Sequence, residues 1–192
     1  MKRIALFGGT FNPIHLGHLI GAQIACDSLK LDKVIFIPCF LPPHKTERDL
    51  ASSTNRLKMV KLAITSNKKF VFSDFEIRQR QKSFSIDTAR YFRKKFSAQT
   101  KIFLIIGEDN YTTLNAWKKI DELKKLVTFV VLNRLSQRGV PFKGSNHFKF
   151  IKMPMIEISS SLIRQNINER KPIQYMVPDK VQTYIEKNKL YR

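Results

Sequence analysis

The segment Gly8-Gly9-Thr10-Phe11-Asn12-Pro13-Ile14-His15-Leu16-Gly17-His18 constrains the fold of this chain more than any other stretch. It follows the apolar run 3–7 (Arg-Ile-Ala-Leu-Phe), which has strand length, and it leads into Leu19, Ile20, Ala22, Ile24, Ala25 and Leu29, which recur at helical spacing. A strand, a glycine turn and a helix start therefore follow one another directly. The two glycines allow a sharp turn and a close approach of the backbone to a ligand. A helix start behind such a turn presents backbone N–H groups and the positive end of a helix dipole, an arrangement suited to phosphate.

His15 and His18 stand at this point, three residues apart, so both imidazoles can share one face and bracket an anionic group. A His-x-x-His pair can also be half of a zinc site. His44 and His147 lie in unrelated contexts, however, and Cys26 and Cys39 form no Cys-x-x-Cys pair, so a metal site is the weaker reading. The Gly-Lys-Ser/Thr ending of a Walker loop is absent, as is the Gly-x-Gly-x-x-Gly dinucleotide fingerprint.

The rest of the chain repeats the alternation. Residues 33–38 (Lys-Val-Ile-Phe-Ile-Pro), 70–73, 101–106 and 126–132 read as strands, with a weaker one at 147–151. Residues 55–66, 86–96, 160–168 and 178–187 read as helices. This order predicts an α/β, Rossmann-like fold, a mostly parallel sheet flanked by helices with right-handed crossovers. At 192 residues and 43% hydrophobic, the chain is expected to build one core and a single domain over 1–192. No run approaches membrane-span length and no leader pattern opens the sequence, which with two unframed cysteines points to the cytoplasm. Neither cysteine is placed as a nucleophile: Cys26 falls on a helical face and Cys39 in a loop before Pro42-Pro43.

Thirty-five Lys and Arg against fifteen Asp and Glu give a net charge of +20, which raises nucleic-acid binding as the alternative from another functional class. The cations come in short groups such as Lys68-Lys69, Arg93-Lys94-Lys95, Lys118-Lys119 and Lys124-Lys125, with no long basic arm. Solvated helix faces account for most of them, and a basic surface also steers polyanionic substrates into a cleft, so nucleic acid is the less favoured partner.

The first segment resembles the first signature of the nucleotidyltransferase superfamily, with its Thr/His-x-Gly-His motif, and Ile158-Ser159-Ser160-Ser161-Leu162-Ile163-Arg164 resembles the second. With the chain between them, the resemblance runs end to end to the bacterial nicotinate-nucleotide adenylyltransferase family. It implies an enzyme that joins nicotinic acid mononucleotide to the AMP part of ATP with Mg2+, giving deamido-NAD and pyrophosphate. It further implies that Gly8, Gly9, Thr10 and Phe11 hold phosphates, that His15 and His18 contact those of ATP, and that Arg164 with Ser159, Ser160 and Ser161 binds the triphosphate end. Lys45, Ser85, Gly107, Asp109, Trp117 and Arg134 fall on the family's remaining substrate contacts: Ser85 at the pyridine carboxylate, Trp117 stacked on the ring, and Arg134 on the adenosine side. His15, His18 and Arg164 form the expected catalytic set. Asn12 stands where many members have aspartate, and Ser161 and Ser85 stand where threonine is common.

The residues have physical readings of their own. Ser159-Ser160-Ser161 supplies an N-cap and a second helix start for an anion, or simply a good cap. Ser85 also reads as an N-cap for a helix beginning at Ile86. Asp109, just beyond the most apolar strand, lies where ribose hydroxyls are commonly bound, whereas an isolated Trp117 reads as half-buried packing. A preference for nicotinamide mononucleotide, or for phosphopantetheine, is the rival within the same chemistry. The sequence leaves open whether the chain acts alone or as a homo-oligomer.

Overall fold

The computed structural model describes residues 1–43, 50–134 and 145–192, with Arg134 described in its backbone only. Six apolar segments form strands: β1 (Arg3–Gly9), β2 (Lys33–Pro38), β3 (Phe70–Phe72), β4 (Lys101–Gly107), β5 (Thr128–Arg134) and β6 (Phe148–Met153). They pair in the order β3-β2-β1-β4-β5-β6, and every pairing is parallel. The sheet is thus wholly parallel where the sequence predicts a mostly parallel one. A parallel sheet must be covered on both faces, which explains why the strands are continuous apolar runs except at the edge strand β6, where Lys149 and Lys152 are exposed.

The helices are α1 (Leu16–Ser28), α2 (Ser53–Ala63), α3 (Phe75–Gln79), α4 (Ser85–Lys95), α5 (Glu108–Thr112), α6 (Ile120–Leu126), α7 (Ser160–Asn168) and α8 (Asp179–Lys187). Alternate residues of each strand feed two cores. Ala5, Phe7, Val34, Phe36, Phe103 and Ile105 face α1, α2, α7 and α8, which contribute Ala22, Cys26, Met59, Val60, Ile163 and Val181. Ile4, Leu6, Ile35, Ile37, Leu104 and Ile106 face α4 and α6, which contribute Ile86, Ala89, Phe92 and Leu123. Two helix starts are capped by serine: Ser52 Oγ accepts from Asn55 N at 3.2 Å, and Ser159 Oγ accepts from Leu162 N at 3.1 Å.

Three expectations change. Ser85 is the first residue of α4 rather than its cap; Phe84 occupies that position with an extended backbone and no side-chain cap bond. Leu126 closes α6, and the strand after it begins at Thr128. The short helices α3, α5 and α6, of five, five and seven residues, have no counterpart in the sequence reading, because so few residues carry no clear 3.6-residue period.

The order of the sheet places β1 beside β4, with chain connections leaving to opposite sides. A crevice opens beyond the C-terminal ends of these strands, where α/β sheets bind ligands. Helix α1 lies close on β5: a Cβ at Gly21 would come within 2.7 Å of Leu132 Cδ1, and Leu132 is itself buried. Gly21→Val is expected to lower the unfolding free energy by about 1–3 kcal/mol, read from the urea midpoint.

Candidate active site

Beyond the C-terminal strand ends lies a cleft of about 440 Å3. It gathers Gly8, Gly9, Thr10, Phe11, His15, His18, Ser85, Gly107, Asp109, Trp117, Ser160, Ser161 and Arg164, which arrive from β1, α1, α4, β4, α5 and α7. Three expected residues stand apart. Ser159 is absent from the lining and spends its hydroxyl on capping α7. Lys45 lies outside the described residues, as does His44, and Arg134 is described only as the last residue of β5.

The turn after β1 is built on Phe11. Its backbone is left-handed, at φ 48°, and its ring is buried beneath the loop, edge-on to Phe7 at 5.7 Å and to His18 at 5.1 Å between centroids. A Cβ at Gly9 would lie 3.0 Å from Phe11 Cζ, so glycine is what lets the ring fold back under the turn. A Cβ at Gly8 would meet nothing within 4 Å, so that backbone faces the open cleft.

His15 caps α1 in a capping-box arrangement with His18. The two imidazoles lie face to face, with centroids 3.7 Å apart and planes tilted by 35°. His15 is buried and His18 half-buried. The His15 backbone N–H donates to His18 Nδ1 at 3.2 Å, which requires an unprotonated Nδ1 and leaves the proton on Nε2. Gly17 makes room for this: a Cβ there would lie 3.1 Å from His15 Nδ1. One first-turn donor is spent elsewhere, since Leu16 N–H bonds Met176 O at 2.9 Å.

The two signature segments meet although far apart in sequence. Ser160 Oγ donates to Pro13 O at 2.8 Å, Arg164 Nη1 donates to Asn12 O at 2.9 Å, and Arg164 Nη2 donates to Ser161 Oγ at 3.3 Å. These bonds hold the Arg164 guanidinium on the cleft wall with its plane fixed at two nitrogens. On the opposite wall, Gly107 precedes α5, and a Cβ there would come within 2.5 Å of Asp109 Oδ1. Trp117 is half-buried and packs against the second core, as its packing reading expects, and it also lines the cleft.

Sequence reasoning missed the residue that ties the loops together. Arg56, on α2, is 1% exposed. Its guanidinium donates to four carbonyls: Ala51 O at 3.0 Å, Thr10 O at 2.9 Å, Cys39 O at 2.7 Å and Phe40 O at 2.7 Å. Asn12 Oδ1 adds a second tie, accepting from Ala51 N at 3.0 Å and from Tyr191 Oη at 2.9 Å. Burial pushes the Tyr191 phenol well above its usual range, so it remains a donor. Burial also raises the Cys39 thiol, with Arg56 opposing, which keeps it from being a thiolate nucleophile.

A buried carboxyl was missed too. Glu76, on α3, is 8% exposed and lines the cleft. Thr88 Oγ1 donates to it at 2.5 Å, and Ser83, which also bonds it, accepts from Phe40 N at 3.0 Å. Burial raises its pKa, outweighing the hydroxyl bonds and Arg56, which lower it. The only signal for Arg56 in the sequence is a charge on the inner stripe of a helix, and Glu76 has none, because α3 is too short to show a period.

Comparison with known proteins falls in line with this geometry. Residues 6–166 match the family described as Cytidylyltransferase-like. A protein of Bacillus subtilis named "Nicotinate-nucleotide adenylyltransferase" is 37% identical, covering 100% of this chain and 99% of that protein. One from Shouchella clausii, named "Probable nicotinate-nucleotide adenylyltransferase", is 44% identical over 100% of this chain and 97% of its own length. Among solved structures, that titled "Plasmodium falciparum nicotinic acid mononucleotide adenylyltransferase complexed with NaAD" superposes with a TM-score of 0.77 at 18% identity, covering 100% of this chain and 98% of that one. The chain belongs to the cytidylyltransferase-like family and, within it, to the bacterial nicotinate-nucleotide adenylyltransferases.

Arg56→Met leaves four loop carbonyls without their donor and is expected to cost about 3–5 kcal/mol of stability in a denaturant titration. Glu76 has a raised pKa when folded, so its contribution is most favourable below the unfolded value and declines as pH rises through the folded one. Glu76→Gln should therefore gain stability relative to wild type on going from about pH 4 to about pH 7, read from paired urea midpoints. A difference that stays flat or runs the other way would exclude a disfavoured charge at this position.

Proposed function

We propose that this chain joins nicotinic acid mononucleotide to the AMP moiety of ATP, forming deamido-NAD and releasing pyrophosphate, as a step of NAD synthesis. The carrying observation is the stacked His15–His18 pair beside the Gly8-Gly9 turn, in one cleft with Arg164, which is bonded to the same loop at Asn12 O. The full-length identity to enzymes of that name supports the substrate assignment.

In the proposed reaction a phosphate oxygen of the mononucleotide attacks the α-phosphorus of ATP. The bond from that phosphorus to the bridging oxygen of the β-phosphate breaks, and pyrophosphate leaves. No covalent intermediate on the protein is needed, so catalysis consists of positioning and of neutralising charge on the phosphates. Gly8, Gly9 and Thr10 offer backbone to the phosphates, and Phe11 shapes their turn from beneath. His18, held with its proton on Nε2, donates to a phosphate oxygen, and His15 supports that ring. Arg164 with Ser160 and Ser161 holds the β and γ end, while Ser159 contributes through its cap. Ser85, Gly107, Asp109 and Trp117 form the mononucleotide side, with Ser85 at the carboxylate, Asp109 at ribose and Trp117 on the ring. Lys45 and Arg134 complete the phosphate and adenosine contacts.

The divalent metal that nucleotidyltransferases generally use with ATP is proposed to be Mg2+. Among the described residues no three His, Cys, Asp or Glu side chains converge. That donor set fits an ion held chiefly by substrate phosphates and water, where it would neutralise charge on the pyrophosphate. No helix among the described residues is long and apolar enough to cross a membrane. Together with two free cysteines, this supports the proposal that the single domain works in the cytoplasm.

Pyrophosphate release with ATP and Mg2+ should be much faster with nicotinic acid mononucleotide than with nicotinamide mononucleotide or phosphopantetheine. Preference for the amide would overturn the Ser85 assignment, and silence with all three would overturn the reaction. His18→Ala should lower turnover by about 10²–10³-fold while the protein stays folded, its urea midpoint falling only by the roughly 1 kcal/mol of a lost capping bond.

A further inference from the structure

The opposite end of the sheet holds a second cleft, of about 620 Å3, which the adenylyl-transfer reading leaves unused. It lies at the N-terminal starts of β1, β4 and β5, where Arg3, Lys101 and Thr128 stand, and is closed by the end of α6 and the start of β6. Among the described residues six cationic side chains line it, namely Arg3, Arg93, Lys101, Lys124, Lys125 and Lys149, and no Asp or Glu does. The same strands carry both clefts: Arg3 and Gly9 are six positions apart on β1, about 20 Å along an extended chain.

The charges there are poorly compensated. Lys124 Nζ meets only Asp121, at 3.5 Å, and that carboxylate is 89% exposed. Arg93 is anchored by the carbonyls of Thr100, at 2.9 Å, and Ser97, which fix its guanidinium without neutralising it. Arg3 stacks over Phe103, with Cζ 5.4 Å from the ring centre, and its Nε is buried with no hydrogen-bond partner. Asp32, the acidic neighbour of Arg3, accepts from the Arg3 backbone N–H rather than from its side chain. Like charges converging on a concave, partly desolvated surface repel one another, and an anion seated among them removes that cost. Thr100, Thr128, Asn146 and His147 add polar groups, and the volume is that of a nucleotide-sized ligand.

We propose that this cleft is a second binding site, for a small anion bearing two or three phosphates, distinct from the catalytic cleft. Phosphates would sit between Lys101, Lys149 and the Arg3 and Arg93 guanidiniums, as charge-assisted hydrogen-bond acceptors. A concave pocket bounded on several sides suits such a ligand better than a long nucleic-acid backbone, which tracks an extended groove.

Inorganic triphosphate is the probe, added at low salt to the full chain while backbone amide resonances are recorded. Two sets of shifts are expected: one at Gly8 and Gly9, and one, with its own saturation curve, at Lys101, Thr128 and Lys149. Lys101→Gln/Lys149→Gln, at two exposed positions, should weaken the second set by about tenfold. The Gly8 and Gly9 response and the rate of pyrophosphate release should not change. The single variant Lys149→Gln should give a smaller loss in the same set. Shifts confined to the catalytic cleft, or spread over lysines everywhere, would overturn the proposal. So would a single-stranded oligoribonucleotide that saturates the second set at lower concentration than triphosphate, because the cleft would then be part of a nucleic-acid surface.

Discussion

The candidate active site depends on one buried cation. Arg56 reaches from α2 between the loops that follow β1 and β2, and it bonds main-chain carbonyls of both, together with the carbonyl that precedes its own helix. A guanidinium suits this role because its donors lie in one plane and point in several directions, so a single side chain can hold three backbone segments at fixed separation. A buried charge is ordinarily costly. Here carbonyl dipoles replace the water that the cation loses, and the loops gain a rigidity that their own glycine and proline content would not provide. The histidines, the glycine turn and Arg164 are arranged on that frame.

Glycine and serine do the complementary work of letting parts approach. Gly9 admits the Phe11 ring under the turn, Gly17 admits His15 against the first turn of α1, and Gly21 brings α1 down onto β5. Ser160 then ties α7 to Pro13, so the second signature is held against the first by a direct bond between their backbones and side chains. Phosphate recognition of the kind proposed needs donors that do not reorganise when charge develops. These contacts provide that stiffness before any ligand arrives.

Much of this was legible in the sequence, and the boundary of legibility has a physical cause. The strands could be read because parallel strands covered on both faces are apolar throughout, and α1, α2, α4, α7 and α8 because each is long enough to show a period. The gathering of His15, His18 and Arg164 could be anticipated from two signatures in order. What could not be read was anything that depends on a partner distant in sequence. Arg56 shows only as a charge on an apolar stripe and Glu76 lies in a segment with no readable period, and neither shows its role, since burial of a charge is visible only with the carbonyls or hydroxyls that receive it. Ser85 looked like a cap because cap and first helical residue differ by one position, a distinction set by the backbone at Phe84. Likewise, a sequence of scattered lysines gives no sign that six cationic side chains converge at the base of the sheet.

The bond from Tyr191 to Asn12 spans 179 residues. During synthesis on a ribosome, the turn after β1 is made among the first residues, yet its asparagine gains this partner only after residue 191 has left the exit tunnel. The emerging chain can pair its strands and bury the second core, which draws on no residue beyond Phe150, while that turn still lacks one of its anchors. Completion of the site is therefore ordered in time, and an incomplete nascent chain would hold nucleotide poorly even when most of its sheet has formed.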